Sequence, residues 1–192
     1  MDDVTVVPAT AEHFDGVASL LAPGGAVQSC WCLYWRLSAG EFRKQRGPGR
    51  PAIMRELVQR EPAPGVLAYR DGLAVGWCNV GPRAAMERLV RSRTIPRVDD
   101  CPVWSIVCFL VRPGHRRQGI ARALLGGAIR YAREQGAPAL EAYPVDAAGA
   151  RIHTTEAYVG TLGLFTDAGF RVVTQTKATS ARLPRLLVRL DF

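Results

Sequence analysis

Residues 111–124 read Val-Arg-Pro-Gly-His-Arg-Arg-Gln-Gly-Ile-Ala-Arg-Ala-Leu, and they join two segments of different periodicity. The apolar run Pro102–Val111 leads into them and has the β-branched and aromatic content of a buried strand. Apolar residues then recur at helical spacing, namely Ile120, Ala123, Leu124, Ala128 and Tyr131. The sequence therefore predicts a strand, a glycine-containing turn and a long helix in succession.

The turn itself is suited to binding a pyrophosphate. The first N–H groups of a helix are unpaired and lie at the positive end of the helix dipole. Gly119 has no Cβ to block a phosphate, and Ala121 keeps the next position small. Positive charge surrounds the turn on four arginines, which are Arg112, Arg116, Arg117 and Arg122.

The pattern Arg116-x-x-Gly119-x-Ala121 resembles the acetyl-CoA signature of the GNAT N-acetyltransferases, Arg/Gln-x-x-Gly-x-Gly/Ala. A second match is Phe165-Thr166-Asp167-Ala168-Gly169-Phe170, which is similar to the family's Tyr-x-x-x-Gly-Phe with phenylalanine in place of tyrosine. Gly169 suits a helix C-terminal position that needs positive φ, and Phe170 suits a buried strand start.

The resemblance covers nearly the whole chain and implies an α/β fold. We expect a mixed, mostly antiparallel sheet of six or seven strands, flanked by helices and with splayed central strands. The front of the chain agrees with this, because strand Val4–Val7 precedes a predicted helix over Ala11–Leu21 with Thr10 as its cap. Asp71-Gly72 joins two apolar runs and predicts a two-residue hairpin turn.

Size and composition favour one domain over residues 1–192. The longest apolar run, Val103–Val111, is too short to span a bilayer, so no membrane association is expected. The acidic N-terminus lacks the features of a signal peptide, which favours a cytoplasmic location.

The net charge of +8 includes no block of five or more basic residues, and a nucleic-acid partner is not predicted. The oligomeric state stays open, a homodimer included.

The resemblance implies acetyl-CoA as cosubstrate. In the family the strand before the turn diverges from its neighbour, and its exposed backbone pairs with pantetheine. By position, one N–H of this strand would also polarise the thioester, although the same residues could serve only as core. The expected cofactor-binding set is Phe109, Leu110, Val111, Arg116, Arg117, Gln118, Gly119, Ile120 and Ala121.

The proton donor for the departing thiolate is not at its usual place, because Phe165 has no proton to give. Tyr158 lies two helical turns earlier and would share the same helix face if the helix extends that far. We therefore expect Tyr158 to act as the acid. The alternatives are a packing tyrosine and protonation by solvent, since a thiol of pKa about 8.5 leaves readily.

The base is expected on the predicted strand Leu140–Tyr143, at Glu141. A carboxylate inside an apolar strand either pairs with a cation or has a functional role. The alternative to a catalytic base is therefore an ion pair between Glu141 and an arginine. One branch of the family carries a glutamate where Ser105 stands here; Ser105 could hold a water. His153 and Glu156, in the connection 144–158, are further candidates.

Residues 29–36 read Ser-Cys-Trp-Cys-Leu-Tyr-Trp-Arg and fall where the family shapes its acceptor pocket. We expect Trp31 and Tyr34 to line that pocket and Arg36 to bind an anionic substituent. The alternative is a loop anchored in the core by its aromatic residues. The spacing Cys30-x-Cys32 does not match a zinc site, and no metal is expected. Because no histidine lies near a cysteine in sequence, we rank a mechanism through an acyl-cysteine intermediate below direct transfer of the acetyl group to the amine.

Charge near the predicted pocket limits the acceptor class. Residues 23–60 contain seven basic residues and two glutamates, which gives this segment a net charge of +5. This balance disfavours polycations and favours an acceptor that carries a carboxylate or phosphate. The basic residues are Arg36, Arg43, Lys44, Arg46, Arg50, Arg55 and Arg60.

The leading hypothesis is acetyl transfer from acetyl-CoA to a primary amine of a small molecule or peptide, by direct attack. A non-catalytic acyl-CoA-binding regulatory module is the alternative, and Phe165 and Ser105 favour it. A toxin-like acetyltransferase acting on aminoacyl-tRNA is a third possibility, against which the missing tyrosine counts.

Overall fold

The computed structural model of the chain describes residues 4–22, 30–45, 47–147, 157–180 and 182–192. Within these ranges, seven strands form one sheet in the order β1-β2-β3-β4-β5-β7-β6. Neighbouring strands are antiparallel except β4 and β5, which are parallel. The strands are β1 (Thr5–Pro8), β2 (Gly65–Arg70), β3 (Leu73–Pro82), β4 (Trp104–Val111), β5 (Ala139–Ala142), β6 (Arg171–Ser180) and β7 (Leu183–Asp191).

Six α-helices flank this sheet in the described part of the chain. They are α1 (Phe14–Leu21), α2 (Ala39–Lys44), α3 (Gly49–Leu57), α4 (Glu87–Val90), α5 (Ile120–Glu134) and α6 (Leu162–Thr166). Three 3-10 turns occur at Ala11–His13, Arg83–Ala85 and Ala157–Val159. The predicted α/β fold with a mixed, mostly antiparallel sheet is confirmed. None of the described helices has the length and apolar character that crossing a membrane requires.

The first predicted helix is divided. Ala11–His13 forms a 3-10 turn, and α1 begins at Phe14 because His13, at φ −101° and ψ 9°, departs from α-helical geometry. Thr10 occupies the predicted N-cap position in extended conformation, but its side chain makes no capping hydrogen bond. The hairpin at Asp71-Gly72 is confirmed, with φ of 50° and 75° as its turn requires.

Helix α5 lies close against the sheet and fixes the orientation of the turn that precedes it. A Cβ on Gly76 of β3 would come within 2.8 Å of Ile120 and 2.9 Å of Leu124. Only glycine allows this approach, since real Cβ atoms do not come so near. The buried residues Leu125, Ala128 and Tyr131 continue the same helix face into the main apolar core.

The central strands diverge after a short paired stretch. β4 pairs with β5 only from Trp104 to Ile106, and no described strand pairs with Val107–Val111 on that side. On its other side β4 carries a bulge, because Asn79 pairs with Cys108 whereas Val80 pairs with Ile106. A bulge bends its strand and increases its twist. Beyond Ile106 this side of β4 therefore has no strand partner among the described residues, although the 3-10 turn at Ala157–Val159 packs against β4.

Candidate functional site

The turn between β4 and α5 presents free backbone donors. The first helical hydrogen bond of α5 runs from the Ala123 N–H to the Gly119 carbonyl at 3.0 Å, so the N–H groups before it are left for a ligand. Gly119 caps the helix at φ 80°, and Arg117 also has positive φ, at 58°. A Cβ built on Gly119 would meet nothing within 4 Å. The glycine is therefore required by backbone conformation and borders open space.

Hydrogen bonds fasten this turn to its surroundings. Gln118 Nε2 donates to the Gly114 carbonyl at 2.9 Å, and Gln118 Oε1 accepts from Arg70 of β2. Arg112 Nε donates to the Ala74 carbonyl at 2.8 Å. Arg122 forms an ion pair with an aspartate near the end of α6. The two remaining arginines of the turn, Arg116 and Arg117, are exposed.

The open edge of β4 leads directly into this turn. Phe109 and Val111 pair with β3 on one side, and no described strand pairs with them on the other. The side chain of Phe109 contacts Phe165 edge to face, with ring centroids 6.0 Å apart, while Leu110 packs on the opposite sheet face. The Val111 carbonyl accepts a hydrogen bond from Arg116 Nε at 3.4 Å. The side chains of these residues pack in the core, and on this side their backbone has no strand partner in the described part of the chain.

The structure separates Tyr158 from helix α6. Gly160, at φ 80°, and Thr161, in extended conformation, lie between them, so the expected helical extension to Tyr158 is wrong. Tyr158 instead sits in the 3-10 turn, which packs against β4 and the apolar cluster containing Cys108 and Leu110. Phe165 is fully buried.

The pKa of Tyr158 reflects two opposing influences. Burial raises the pKa of its hydroxyl, and the positive charge of Arg185 lowers it. The net direction is upward, so the hydroxyl keeps its proton at neutral pH. A half-buried tyrosine of this kind can donate a proton.

Glu141 is held by ionic contacts in the core. Its Oε1 accepts from Arg189 Nη2 at 2.6 Å and from Nε at 3.1 Å. Its Oε2 accepts from the Tyr143 hydroxyl at 3.2 Å and lies 3.6 Å from Arg83 Nη1. Ser105 is fully buried beside them, with its Oγ 2.9 Å from the same tyrosine hydroxyl. These contacts favour the ion-pair interpretation of Glu141.

The segment 30–36 contributes mainly to the core. Trp31 is 5% exposed and stacks on Phe14 with ring centroids 6.5 Å apart. Tyr34, by contrast, is 43% exposed, with the Arg88 guanidinium 4.0 Å above its ring. Trp31 and Tyr34 were both expected in the pocket wall, and of the two only Tyr34 is exposed at the surface.

Arg36 is directed into the protein. Its Nη2 donates to the Pro64 carbonyl at 2.7 Å, to Asn79 Oδ1 at 2.9 Å and to the Val80 carbonyl at 3.3 Å. Its Nε donates to Asn79 Oδ1 at 3.2 Å. Burial lowers the pKa of Arg36 to about 10. The guanidinium thus fastens the segment to the β3 residues opposite the β4 bulge, and these bonds engage its Nε and Nη2 donors.

Two important residues were missed from the sequence. Asn79 is fully buried and donates to the Cys32 carbonyl at 2.7 Å while it accepts from Arg36. A lone amide within the apolar run of β3 could have signalled it. Arg185 of β7 is also buried, and burial lowers its pKa. No local pattern distinguishes Arg185 from the chain's many surface arginines.

None of the described cysteines forms a disulfide. The Cys32 thiol lies within hydrogen-bond distance of the Cys108 thiol, with the two sulfur atoms 3.5 Å apart. Within the described ranges, no group of three or more His, Cys, Asp or Glu side chains is arranged to hold a metal ion. The candidates His153 and Glu156 lie outside the described residues.

A model of the acetyltransferase (GNAT) family matches residues 31–165. That is well over half of the chain, and the chain therefore belongs to the GNAT acetyltransferase family. The membership inferred from the two glycine motifs is confirmed, and the protein is an acyltransferase by class. No curated protein sequence matches the chain significantly.

Solved structures of acetyltransferases share the fold. The chain is similar to the polyamine N-acetyltransferase of Drosophila melanogaster, at 10% identity and TM-score 0.57, over 99% of this chain and 100% of that one. It is similar to the PaiA N-acetyltransferase of Thermoplasma acidophilum in complex with coenzyme A, at 10% identity and TM-score 0.55, over 99% of both chains. It is also similar to the diaminobutyrate acetyltransferase of Paenibacillus lautus, at 17% identity and TM-score 0.54, over 98% of this chain and 95% of that one.

Proposed function

We propose that the protein transfers the acetyl group of acetyl-CoA to a primary amine of a small molecule or peptide by direct attack. The observation that carries this proposal is the edge of β4 beyond Ile106, which has no strand partner among the described residues and is joined by the turn Arg112–Gly119 to the first N–H groups of α5. We take the chain as one cytoplasmic domain, with its oligomeric state open.

The edge of β4 and the start of α5 would bind two successive parts of coenzyme A. The pyrophosphate would meet the N–H groups at Gly119–Ala121 and the charges of Arg116 and Arg117. Pantetheine would pair with the backbone of Phe109–Val111. The thioester would then lie near the bulge of β4, where the sheet opens.

In the reaction, an uncharged amine nitrogen attacks the thioester carbonyl carbon. A backbone N–H of β4 would stabilise the oxyanion, as preorganised donors do in acyl transfer. Collapse of the intermediate breaks the C–S bond, and the thiolate takes a proton from Tyr158, which is protonated at neutral pH and whose phenolate then regains a proton from water. The ammonium proton passes to water. Glu141 has a positioning part in this scheme, because Arg189 and Tyr143 already occupy its oxygens.

The alternative is a regulatory module that binds acyl-CoA without turnover. The buried Phe165 and Ser105 favour it, since both stand where other members of the family carry proton-transfer groups. The two functions differ in one measurable respect, which is release of free CoA in the presence of an amine.

Acetyl-CoA binding is tested first by thermal shift. A ligand that binds only the folded state at a hundred times its Kd stabilises it by about 2.7 kcal/mol. Gly119→Glu should abolish the shift by placing bulk and negative charge at the pyrophosphate. Gly126→Glu is the matched control, since Gly126 is exposed on the same helix with open space around it. An equal ligand response in folded Gly119→Glu protein would overturn the cofactor assignment.

Turnover is tested with a panel of amines and a thiol assay for free CoA. Tyr158→Phe should lower kcat by a factor of about 10² or more while leaving the acetyl-CoA shift intact. Full activity in Tyr158→Phe would remove this residue from the mechanism. Binding of acetyl-CoA with no CoA release from any amine would favour the regulatory module.

A further inference from the structure

Arg185 is a buried cation without a carboxylate partner. The structure describes two other fully buried arginines, Arg83 and Arg189, and both lie within ion-pair distance of Glu141. Arg185 is 3% exposed, and its Nε donates to the Tyr143 carbonyl at 2.9 Å. Its Nη2 is buried and has no hydrogen-bond acceptor in the described part of the chain, where no carboxylate lies within 4.0 Å of the guanidinium.

A second unsatisfied donor lies beside it. The indole Nε1 of Trp35 is buried with no acceptor among the described residues. The Arg185 Cζ is 5.8 Å from the centre of the Trp35 ring. Buried donors in folded proteins are normally paired, and a buried charge needs a counter-charge. The guanidinium lies over the face of this ring, and each of the two neighbouring side chains keeps a buried donor, one of them cationic, with which an anion could pair.

The position of these donors connects them to the reaction centre. Trp35 packs against the apolar cluster that contains Val107 of the β4 bulge and Tyr143. The backbone of Arg185 bridges that of Val145, whose N–H donates to the carbonyl of Gly160, two residues after Tyr158. Tyr158 in turn packs against the cluster that contains Cys108 of the same bulge. The donors thus lie near the segment that carries Tyr158, on which the proposed reaction depends.

We propose that Arg185 and Trp35 bind the carboxylate of the acceptor, so that the acceptor is a small amino acid with its amine directed toward the thioester. The inference rests on the proposed acetyltransferase function and names its substrate class. It replaces Arg36, whose Nε and Nη2 donate within the protein. The guanidinium supplies charge and the indole fixes the second oxygen, which suits a planar carboxylate.

The kinetic test uses matched amines that differ only in the carboxylate. α-Amino acids and ω-amino acids are each compared with their amides and with the amines that lack the carboxyl group. The amino acids should show kcat/KM at least tenfold above their uncharged counterparts. Arg185→Met should remove that preference by raising KM for the amino acid while KM for the amide and acetyl-CoA affinity stay unchanged. Arg182→Gln, which removes an exposed charge from the same hairpin, should leave the preference intact.

Stability separates a binding role from a structural one. Because no carboxylate pairs with Arg185 in the described part of the chain, Arg185→Met, of similar volume, should change Tm little, since relief of the buried charge offsets the lost hydrogen bond to the Tyr143 carbonyl. A fall in Tm, with equal loss of activity toward the amino acid and its amide, would show that Arg185 is structural. Arg185→Lys keeps the charge without the planar fork and should retain part of the preference. Preferred turnover of phosphate-bearing amines or of polyamines would also overturn the proposal.

A binding measurement keeps this inference distinct from the proposed function. N-acetylglycine carries the carboxylate but cannot be acetylated further. Its binding in the presence of CoA is followed by thermal shift, and Arg185→Met should abolish it while N-acetylglycinamide binds neither protein. Binding without turnover of any amine would contradict the proposed function and leave the carboxylate site supported. Turnover of amines with no carboxylate preference would contradict only the site.

Discussion

Substitution of Arg36 by alanine tests whether this arginine belongs to the core or to the acceptor pocket. The guanidinium makes four hydrogen bonds to three acceptors, which are the Pro64 carbonyl, Asn79 Oδ1 and the Val80 carbonyl. Removal of a partner from a buried polar group costs about 1–3 kcal/mol. The desolvation of the guanidinium, which lowers its pKa to about 10, offsets part of that loss.

We therefore expect Arg36→Ala to lower the free energy of unfolding by about 3 kcal/mol, from three acceptors at about 1 kcal/mol each. For a domain of this size the loss corresponds to a fall in Tm of about 6–12 °C. Urea denaturation and a thermal melt measure it. Arg43→Ala is the control, because Arg43 is exposed on α2 and its removal should change stability by less than about 0.5 kcal/mol.

A double-mutant cycle with Asn79→Ala sharpens the test. Both residues act in one network, so the two losses should overlap by about 1 kcal/mol or more. An unchanged Tm in Arg36→Ala together with a selective rise in acceptor KM would refute this reasoning. Arg36 would then face the acceptor, as the sequence alone suggested.

Two further predictions concern buried groups. Glu141→Gln should lower the free energy of unfolding by about 3 kcal/mol, because it leaves Arg83 without its buried counter-charge and leaves Arg189 paired with Asp99 alone. Normal stability with loss of kcat at all accessible pH values would instead assign Glu141 a role in catalysis. Stability should also fall as pH rises above about 8.5, where unfolded thiols ionise, by about 1.4 kcal/mol per pH unit for each buried thiol whose pKa is raised. Sulfur contacts and burial raise the pKa of three of them, Cys30, Cys32 and Cys78. Urea denaturation in reductant at pH 8, 9 and 10 measures the slope, Cys78→Ala should reduce it, and pH-independent stability would contradict the assignment.

The fold and the turn between β4 and α5 were predictable from local patterns. A strand period, a helix period and the glycine between them are properties of short segments, so Gly119 and the strand ending at Val111 could be located from residues alone. The hairpin at Asp71-Gly72 was predictable for the same reason, since its backbone conformation favours those residue types. Helix limits were less certain, because the breaks at His13 and Gly160 depend on packing.

The sequence by itself determined the family, the order of the strands along the chain and the turn that presents backbone donors. Only the tertiary structure decided which polar side chains have partners within the protein and which have none among the described residues. Glu141 and Arg36 are bound by partners far along the chain, Arg189 and Asn79, and sequence spacing gives no measure of such contacts. Arg185 and Trp35 come together only when the last strand joins the sheet. Whether a buried charge finds its partner depends on long-range packing, and that decides which charge is left for a ligand.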